Sequence, residues 1–470
     1  MKLAYWLFPG LRIKRWLLAF AAGLFLVALG GAMAAGADLW AVAGAWLRQR
    51  LFALTGRFVP GPWLGVVVLL AGALLALAST YRLMRVVADI LAPAGGGNGG
   101  GAVDRLVLRR RLDRGPRVVA IGGGTGLSVL LRGLKEYTGN VTAIVTVTDD
   151  GGSSGRLRGE LGILPPGDIR NCLVALADAE PLMARLFQHR FSQGTLAGHS
   201  LGNLFISALA ELLGDFEQAV YESSKVLAVR GRVLPSTLTP VTLVAEMADG
   251  RVVRGETAIS SDPERIARLW LEPGGAEPLP AALEAIEAAD LIVLGPGSLY
   301  TSILPNLLIP GIRDAIRRSP AVKVLVVNAM TQPGETDGFS AADHARAILE
   351  AVGPGLFQHV LVNIQQPPPH LLQRYREQGQ EPVRPDREGL RRLGLQVHVA
   401  RLIAGDDFVR HDSQRLARAL LRVLLSARPR VDARRRFDFF LLGERIWREE
   451  AARDAAAAEA PGRETAARGR

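Results

Sequence analysis

The sequence predicts an α/β protein with a Rossmann-like, mostly parallel sheet, a small antiparallel insertion, and a two-helix transmembrane hairpin preceding them. Three observations lead to this prediction. Two uncharged apolar runs occupy residues 16–37 and 58–81. Short apolar segments alternate with amphipathic ones between residues 116 and 429. A glycine-rich loop, residues 122–126, directly follows the first of those apolar segments.

The two uncharged runs predict a membrane hairpin over residues 1–92. A helix of about 20 apolar residues crosses the ~30 Å hydrocarbon core of a bilayer, and both runs are long enough. The alternative for the first run is a cleaved signal peptide, because basic residues precede it and Ala32-Met33-Ala34 resembles a cleavage site. We favour two spans because the run is longer than the apolar part of a signal peptide and a second run follows.

The charge distribution indicates where the main domain lies. The chain has a net charge of +11, but residues 116–427 hold 31 Lys and Arg against 33 Asp and Glu. The nearly neutral domain argues against nucleic-acid binding. Basic residues flank the spans, so the positive-inside bias predicts a multi-pass membrane protein with both ends and the main domain in the cytoplasm. The single cysteine, Cys172, allows no internal disulfide and is expected to be a buried helix residue.

The remaining segments predict four parts in the chain. Residues 93–115 form a glycine-rich linker and basic segment after the hairpin. Residues 116–429 form the nucleotide-binding domain, and residues 430–470 a partly disordered tail. An apolar cluster at 437–442 interrupts this tail, and the sequence leaves open whether it docks on the domain or on the membrane.

The order of apolar segments predicts the sheet. Strands are predicted at residues 117–121, 141–147, 291–294, 322–327 and 357–362, with helices at 127–136, 200–213, 312–318 and 341–351. Apolar strands alternating with helices are typical of a parallel sheet that is covered on both faces. Residues 234–271 differ because polarity alternates there around an Asp249-Gly250 turn, which predicts an antiparallel insertion.

The glycine loop at 122–126 predicts a phosphate-binding site. Glycines let the backbone approach a ligand, and the helix that follows presents free N–H groups to an anion. Leu127 occupies the last position of the dinucleotide fingerprint, where glycine is expected. A nicotinamide oxidoreductase is therefore disfavoured.

Other polar loops are predicted to meet this loop at the carboxyl edge of the sheet. Asp149 and Asp150 end the second strand, where acids bind a ribose hydroxyl or a hydrated Mg²⁺, although a solvated turn is the alternative. Arg156 and Arg158 are candidates for a second phosphate or a sugar. A second glycine loop at 295–302 and the segment 328–336 end two further strands.

His199 and Ser200 stand next to each other, which invites comparison with a hydrolase. Adjacent residues rarely serve as base and nucleophile for each other, and the sequence has no G-x-S-x-G elbow. We interpret Ser200 as a helix N-cap, with Asn203 reaching the ligand.

Six ordered motifs resemble the YvcK, or gluconeogenesis factor, family, which is related to the CofD-type 2-phospho-L-lactate transferases. They are GGGTGLS at 122–128, TDDGGSSGRLR at 148–158, LPPGDIRNCL at 164–173, HSLGN at 199–203, GPGSLYTSILPNLL at 295–308 and NAMTQPGETDG at 328–338. The resemblance implies a regulator that binds a UDP-sugar such as UDP-N-acetylglucosamine and supports cell shape and envelope synthesis during gluconeogenic growth.

The motifs and the resemblance together give a set of expected ligand-binding residues. The first loop would hold the diphosphate, and Asp149 and Asp150 would contact the ribose or a metal. The sequence assigns no cofactor, and Mg²⁺ is the candidate cation. The expected residues are Gly122, Gly123, Gly124, Thr125, Gly126, Asp149, Asp150, Ser153, Ser154, Arg156, Asp168, Asn171, His199, Asn203, Gly295, Gly297, Ser298 and Asn328.

The sequence is compatible with two functions of different classes. No nucleophile, general base or metal cluster stands out beyond the Asp pair, which favours a non-catalytic regulator. The alternative is a transferase that moves a 2-phospho-L-lactate-type group from a nucleotide diphosphate, with Mg²⁺ on Asp149 or Asp150. We also expect a homo-oligomer and a regulatory protein partner that the sequence does not identify.

Overall fold

A computed structural model of the chain describes residues 13–35, 49–50, 53, 61–91, 112–179, 181–404, 408–427 and 436–458. The chain divides into two compact units, Met1–Arg110 and Arg111–Arg470. The glycine-rich linker and basic segment were predicted at residues 93–115, and residues 93–111 of that range lie outside the described ones.

The first unit contains two long apolar helices, α1 (Ile13–Ala34) and α2 (Gly61–Leu91). Their stretches Trp16–Ala34 and Gly65–Met84 have mean hydropathies of 2.2 and 1.9, and only 11% of each is buried within the protein. A core helix of a soluble protein would bury far more of its apolar surface. The two predicted spans therefore coincide with two helices that are long and apolar enough to cross a membrane.

Glycines at seven-residue spacing bring α1 and α2 close together. A Cβ added to Gly23 would lie 3.0 Å from the carbonyl oxygen of Gly72, and one added to Gly30 would lie 2.7 Å from that of Gly65. Small residues that allow the backbones of two helices to approach are typical of helix pairs in membranes.

The described residues of the second unit form ten strands. They are β1 (Val118–Gly122), β2 (Val141–Val145), β3 (Arg232–Pro235), β4 (Thr242–Met247), β5 (Val252–Arg254), β6 (Ile266–Glu272), β7 (Leu291–Leu294), β8 (Val322–Val326), β9 (His359–Asn363) and β10 (Gln396–Ala400). Seven of them form one sheet in the order β10-β9-β8-β7-β1-β2-β3, and every neighbouring pair is parallel. The predicted fold class is confirmed.

The path of the chain creates a switch point in this sheet. From β1 the chain moves outward to β2 and β3, and it then returns to the other side of β1 at β7. In open α/β sheets, ligands bind in the crevice at the carboxyl ends of the strands where the order reverses. The crevice between β1 and β7 is therefore the place to look for a ligand.

Three strands form the antiparallel insertion that the sequence predicted. β4 pairs with β5 and with β6, both antiparallel, in the order β5-β4-β6. The two edge strands of the large sheet, β3 and β10, were not predicted as separate strands. β3 begins with an exposed arginine, Arg232, and ends with a proline, Pro235, and β10 is not fully buried, so neither carries the strong apolar signal of the central strands.

Helices cover both faces of the large sheet. Their bounds are α3 (Gly124–Leu134), α4 (Gly152–Leu161), α5 (Gly167–Leu176), α6 (Pro181–Gln188), α7 (Leu201–Leu213), α8 (Phe216–Val226), α9 (Glu256–Ser261), α10 (Pro280–Glu287), α11 (Leu304–Leu307), α12 (Pro310–Arg318), α13 (Ala341–Val352), α14 (Pro369–Glu377), α15 (Arg387–Arg392), α16 (Ser413–Ser426) and α17 (Arg436–Ala458). Alternate residues of the strands join two separate apolar cores, as the period of two requires. Cys172 is fully buried on α5, as predicted.

The apolar cluster of the predicted tail belongs to α17, which docks on the domain. Phe439, Leu442 and Ile446 are buried in the same core as α16. The hydroxyl of Tyr137 donates a hydrogen bond of 2.6 Å to Glu449, and the guanidinium of Arg445 lies 4.7 Å from the centre of the Tyr137 ring. Helix α17 therefore extends to residue 458, well into the tail at 430–470 that was expected to be partly disordered. Residues 459–470 lie outside the described ones.

The docking of α17 can be tested with two neighbouring residues. Ile446 is 2% exposed and Trp447 is 69% exposed. Ile446→Ala is expected to lower the free energy of unfolding by about 2–4 kcal/mol, because it leaves a cavity under the helix. Trp447→Ala is expected to change it by about 0.5 kcal/mol or less. Chemical denaturation of the full chain in detergent micelles measures both, and equal effects would contradict this docking.

Candidate functional site

The first glycine loop joins β1 to α3 at the switch point. Helix α3 begins at Gly124, earlier than the predicted start, so the last glycines of the loop form its first turn. Gly124 has a φ of +65°, a conformation that favours glycine. A Cβ on Gly126 would lie 2.7 Å from the carbonyl oxygen of Pro296 and 3.0 Å from the backbone nitrogen of Gly297. The two glycine loops are thus in backbone contact.

A carboxylate already lies in the first glycine loop. The backbone N–H of Gly124 donates a hydrogen bond of 2.7 Å to Oδ2 of Asp168, which belongs to the first turn of α5. Burial, together with the negative charge of Asp149, raises the pKa of Asp168 to about 6. A diphosphate that used the same N–H group would have to displace this carboxylate or share a cation with it.

Further carboxylates lie near the end of β2, and one of them was not predicted from the sequence. Glu256, the first residue of α9, accepts a hydrogen bond of 2.8 Å from Thr148. Burial, followed by the negative charge of Asp149, raises the pKa of Glu256 to about 9. Glu256 comes from the antiparallel insertion, about a hundred residues after β2, so no motif pointed to it. The residue that precedes it, Gly255, has a φ of +94°, a conformation that favours glycine. A glycine directly before an acid is the sequence feature that could have pointed to Glu256.

Asp149 and Asp150 accept hydrogen bonds from different partners. Oδ1 of Asp149 accepts a hydrogen bond of 2.9 Å from the N–H of Gly151. Oδ1 of Asp150 accepts bonds from the N–H and the hydroxyl of Thr257, at 2.9 and 2.7 Å, and so caps the N-terminus of α9. The two neighbouring carboxylates therefore bond to different elements, Asp149 to the start of α4 and Asp150 to the start of α9.

The donor chemistry allows a divalent cation on Asp149 and Asp168. A side chain added to Gly167, next to Asp168, would lie 3.2 Å from Oδ2 of Asp149, which shows how close these two loops are. Carboxylate oxygens are the ligands that Mg²⁺ prefers, and it retains several waters. Across the described residues, no group of three or more His, Cys, Asp or Glu has metal-binding geometry. Mg²⁺ on Asp149 and Asp150 therefore stays a prediction, and Asp168 is a further candidate ligand.

The capping role of Asp150 leads to a stability prediction. Asp150→Ala is expected to lower the free energy of unfolding by about 1 kcal/mol, because α9 loses its cap. Asp215→Ala is the matched control, since Asp215 caps α8 by accepting a bond of 3.1 Å from Gln218. Both variants should lose comparable stability in chemical denaturation. A stable Asp150→Ala variant would contradict the capping role.

A buried polar network lies beside the carboxylates. Nδ2 of Asn203 donates a bond of 3.0 Å to Oγ of Ser153, which lies 3.0 Å from Nδ1 of His199. Nη1 of Arg170 donates to Ser200 and, at 2.9 Å, to Oδ1 of Asn203. Nη2 donates to the Asn171 side chain at 2.7 Å. The predicted residues Ser153, His199, Asn203 and Asn171 are therefore joined through Arg170.

Two details of this network bear on its chemistry. Ser200 is the N-cap of α7, as predicted, with its side chain accepting from the N–H of Asn203. Burial lowers the pKa of His199, which favours the neutral ring. His199 thus pairs with Ser153, at a distance in sequence, and not with its neighbour Ser200.

The predicted arginines hold neighbouring loops. Nη2 of Arg156 donates to the carbonyl of Ala197 at 2.9 Å, and Nη2 of Arg158 donates to that of Val241 at 2.7 Å. Ser154 is buried at the start of α4, against Gly167. These contacts give each residue a structural role, and ligand contact by Arg156 and Ser154 stays a prediction.

The second glycine loop is held by an asparagine and a buried glutamate. Oδ1 of Asn328 accepts a bond of 3.1 Å from the N–H of Gly297, and Nδ2 of Asn328 donates to the Gly297 carbonyl at 2.8 Å. Ser298 caps the short π-helix Leu299–Ile303 and donates to Glu335. Burial raises the pKa of Glu335, which is 8% exposed.

Asn306 links this part of the site to β1. Its Nδ2 donates to the carbonyl oxygens of Gly122 and Ser302 at 3.2 and 2.8 Å. Asn306 is fully buried, and its Oδ1 has no hydrogen-bond partner in the structure. Glu256, Glu335, Arg170 and Asn306 are thus the site residues absent from the predicted set.

Comparison with known proteins places this site in a family. Residues 118–403 match the family model of 2-phospho-L-lactate transferase CofD. The Gluconeogenesis factor of Bacillus subtilis is 52% identical over 311 residues, covering 66% of this chain and 98% of that protein. A crystal structure of a UPF0052 family member from Bacillus halodurans has 50% identity and a TM-score of 0.64, covering 65% of this chain and 99% of that one.

A longer relative also covers part of the first unit. A protein of Nostoc sp. (strain PCC 7120) is 50% identical over 424 residues, covering 89% of this chain and 91% of that protein. This match is longer than the second unit, so it extends into the region of the hairpin. In contrast, the match to the Bacillus subtilis protein covers nearly all of that protein but only two thirds of this chain. The chain belongs to the gluconeogenesis factor, or YvcK, branch of the CofD family.

Proposed function

We propose that this protein is a membrane-anchored regulator that binds a UDP-sugar, of the UDP-N-acetylglucosamine type, and supports cell shape and envelope synthesis during gluconeogenic growth. The observation that carries the proposal is the backbone contact between the two glycine loops at the β1/β7 switch point, between Gly126 and Pro296. A crevice with glycine loops on both sides allows an extended ligand to lie against backbone N–H groups.

The electrostatics of the crevice support a diphosphate that is accompanied by a cation. Asp168 accepts from the loop N–H of Gly124, and burial together with the negative charge of Asp149 raises the pKa of both Asp168 and Glu256. A bare diphosphate would be repelled by these carboxylates, whereas a divalent cation held by Asp149 and Asp168 would attract it. We therefore propose Mg²⁺-dependent binding.

The hairpin supports the proposed location. α1 and α2 are apolar over the length of a bilayer, and their exposed surfaces would face lipid. We propose a multi-pass membrane protein whose domain lies in the cytoplasm, on the side where the basic flanks lie. A homo-oligomer and a regulatory protein partner belong to the same proposal.

A transferase is the second candidate, and two observations favour it. The matching family model is that of a 2-phospho-L-lactate transferase. Nδ1 of His199 lies 3.0 Å from the Ser153 hydroxyl, and its lowered pKa suits a group that accepts a proton. In that reaction an acceptor hydroxyl would attack the donor phosphorus, with the nucleotide monophosphate leaving.

Thermal unfolding with a ligand panel separates the two functions. The purified full chain in detergent is titrated with UDP-sugars, NAD and deazaflavin compounds, with and without Mg²⁺. A bound ligand at 100 times its Kd stabilises by about 2.7 kcal/mol. A shift with a UDP-sugar and Mg²⁺ that leaves the ligand intact supports the regulator. Consumption of a nucleotide diphosphate donor supports the transferase, and no shift with any UDP-sugar would contradict the regulator.

A further inference from the structure

Helix α9 of the antiparallel insertion connects the two sides of the crevice at the switch point. At its first residue, Glu256 accepts a hydrogen bond of 2.8 Å from Thr148, which follows β2. Near its other end, Oγ of Ser260 donates a bond of 3.3 Å to Glu335. Glu335 also accepts a bond from Ser298, in the glycine loop that follows β7. Because β1 lies between β2 and β7 in the sheet, α9 crosses the carboxyl end of β1 and the crevice beside it.

The length of α9 matches the distance that it crosses. The helix has 6 residues, and at 1.5 Å per residue it is about 9 Å long. β2 and β7 are two places apart in the sheet, and neighbouring strands lie about 4.8 Å from each other, so the distance between them is about 10 Å. The helix is therefore as long as the gap that its two ends bridge.

The contacts that hold α9 in place are mostly polar. Side-chain hydrogen bonds join it to Thr148 and Asp150 at one end and to Glu335 at the other. Ile259 is its one buried residue and packs in the core beneath it. The outer side of the helix is exposed at residues 257, 258, 260 and 261. Water can replace such hydrogen bonds at a small net cost, whereas a helix held by several buried apolar side chains would stay in place.

The segments on either side of α9 allow it to move as a unit. Gly255, directly before the helix, has a φ of +94°, and the backbone is extended again at Asp262, directly after it. The flanking strands β5 and β6 are both paired with β4, so the helix is carried by a small sheet. A few residues at the ends of an element are enough to absorb the backbone rotation of a hinge.

We propose that α9 is a strap that closes over the crevice and lifts to let a ligand enter or leave. The strap acts on a ligand only if that ligand occupies the crevice between β1 and β7, so this inference rests on the proposed function. It gives the antiparallel insertion a role, because β4, β5 and β6 hold the strap and its motion sets the rate of ligand exchange. Closing elements of this kind often limit binding and release.

A reversible disulfide can fix the strap in its closed position. A Cβ added to Gly151 would lie 3.0 Å from Oγ1 of Thr257, a separation that the geometry of a disulfide allows. Gly151 has a φ of −92°, which any residue adopts, so cysteine fits there. The native Cys172 is buried and does not compete. Gly151→Cys with Thr257→Cys is therefore expected to form the bond on oxidation, and the reduced form of the same variant is its control.

Hydrogen exchange of the ligand-free full chain in detergent measures the opening of the strap. In the oxidised variant, the amides of residues 122–126 and 295–302 are expected to exchange at least tenfold more slowly than in the reduced variant, because both glycine loops lie beneath the strap. The amides of β9 and β10 should be unchanged. Equal exchange in the two forms, equal slowing of β9 and β10, or failure of the disulfide to form would overturn the proposal.

Ser260→Ala tests the strap without a disulfide. The variant loses the bond to Glu335, so the amides of the two glycine loops are expected to exchange severalfold faster. Ser261→Ala is the matched control, because Oγ of Ser261 bonds at 2.8 Å to the carbonyl of Thr257 within the same helix. Equal exchange in these two variants would contradict the attachment of the strap at Glu335.

The kinetics of ligand binding separate this inference from the proposed function. With UDP-N-acetylglucosamine and Mg²⁺ as the probe, oxidation of the double cysteine variant should slow association and dissociation at least tenfold, and reduction should restore both rates. Unchanged rates would overturn the strap as a gate. If the wild type does not bind this probe, the proposed function fails, whereas hydrogen exchange still decides whether the strap opens.

Discussion

Glu256→Gln is expected to stabilise the ligand-free protein at pH 7 and above, and to have little effect near pH 4. In the unfolded chain a glutamate ionises near pH 4.5, whereas burial and the charge of Asp149 raise the folded pKa of Glu256 to about 9. A raised carboxyl pKa contributes stability that is fully present below pH 4.5 and is lost as the pH rises towards 9. The loss is about 1.4 kcal/mol per pH unit, or about 3 kcal/mol at pH 7.

Denaturation of the wild type and Glu256→Gln across this pH range measures the effect. The glutamine keeps the size of the side chain but cannot ionise, so its stability curve should be flatter. Glu211→Gln, at an exposed position of α7, is the matched control and should leave the curve unchanged. Parallel curves for the wild type and Glu256→Gln would show that Glu256 is not buried among the carboxylates.

Gly126→Ala is expected to weaken ligand binding at least tenfold, which is about 1.4 kcal/mol. The new Cβ would meet the backbone of Pro296 and Gly297, which has no flexible side-chain end that could move away. The two glycine loops would have to separate, and the crevice between β1 and β7 would widen.

Isothermal titration with the UDP-sugar that gives the largest thermal shift measures this loss. Gly159→Ala on α4 is the control, because a Cβ there has no atom within 4 Å. It should bind as the wild type does. Unchanged binding by Gly126→Ala, with the fold retained, would place the ligand away from the contact between the loops.

The central sheet was predictable because its signal is local. β1, β2, β7, β8 and β9 are fully buried, so each appears as an apolar run bounded by turn residues. β10 is partly exposed, and β3 contains an exposed arginine and a proline. The pairing of both strands depends on tertiary contacts that no local pattern encodes. The bounds of α17 were hidden by its alanine-rich and charged second half.

The site was predictable where a loop follows a strand, and not where a distant element completes it. The loops around Gly124, Asp149 and Gly297 each follow a buried strand, and the topology fixes where such ends meet. Glu256 belongs to the antiparallel insertion. Asp168, at the start of α5, was expected near the site but not as the acceptor for the N–H of Gly124. Side-chain direction also escaped prediction, as Asp150 shows by capping α9.

Hydrogen exchange measured by mass spectrometry on the full chain tests the central claim most directly. The backbone amides are compared with and without a saturating UDP-sugar and Mg²⁺. We expect protection at residues 122–126, 148–154 and 295–302, which end β1, β2 and β7 and line the crevice. Protection confined to the antiparallel sheet β4–β6 or to α17, with these three loops unchanged, would contradict the account.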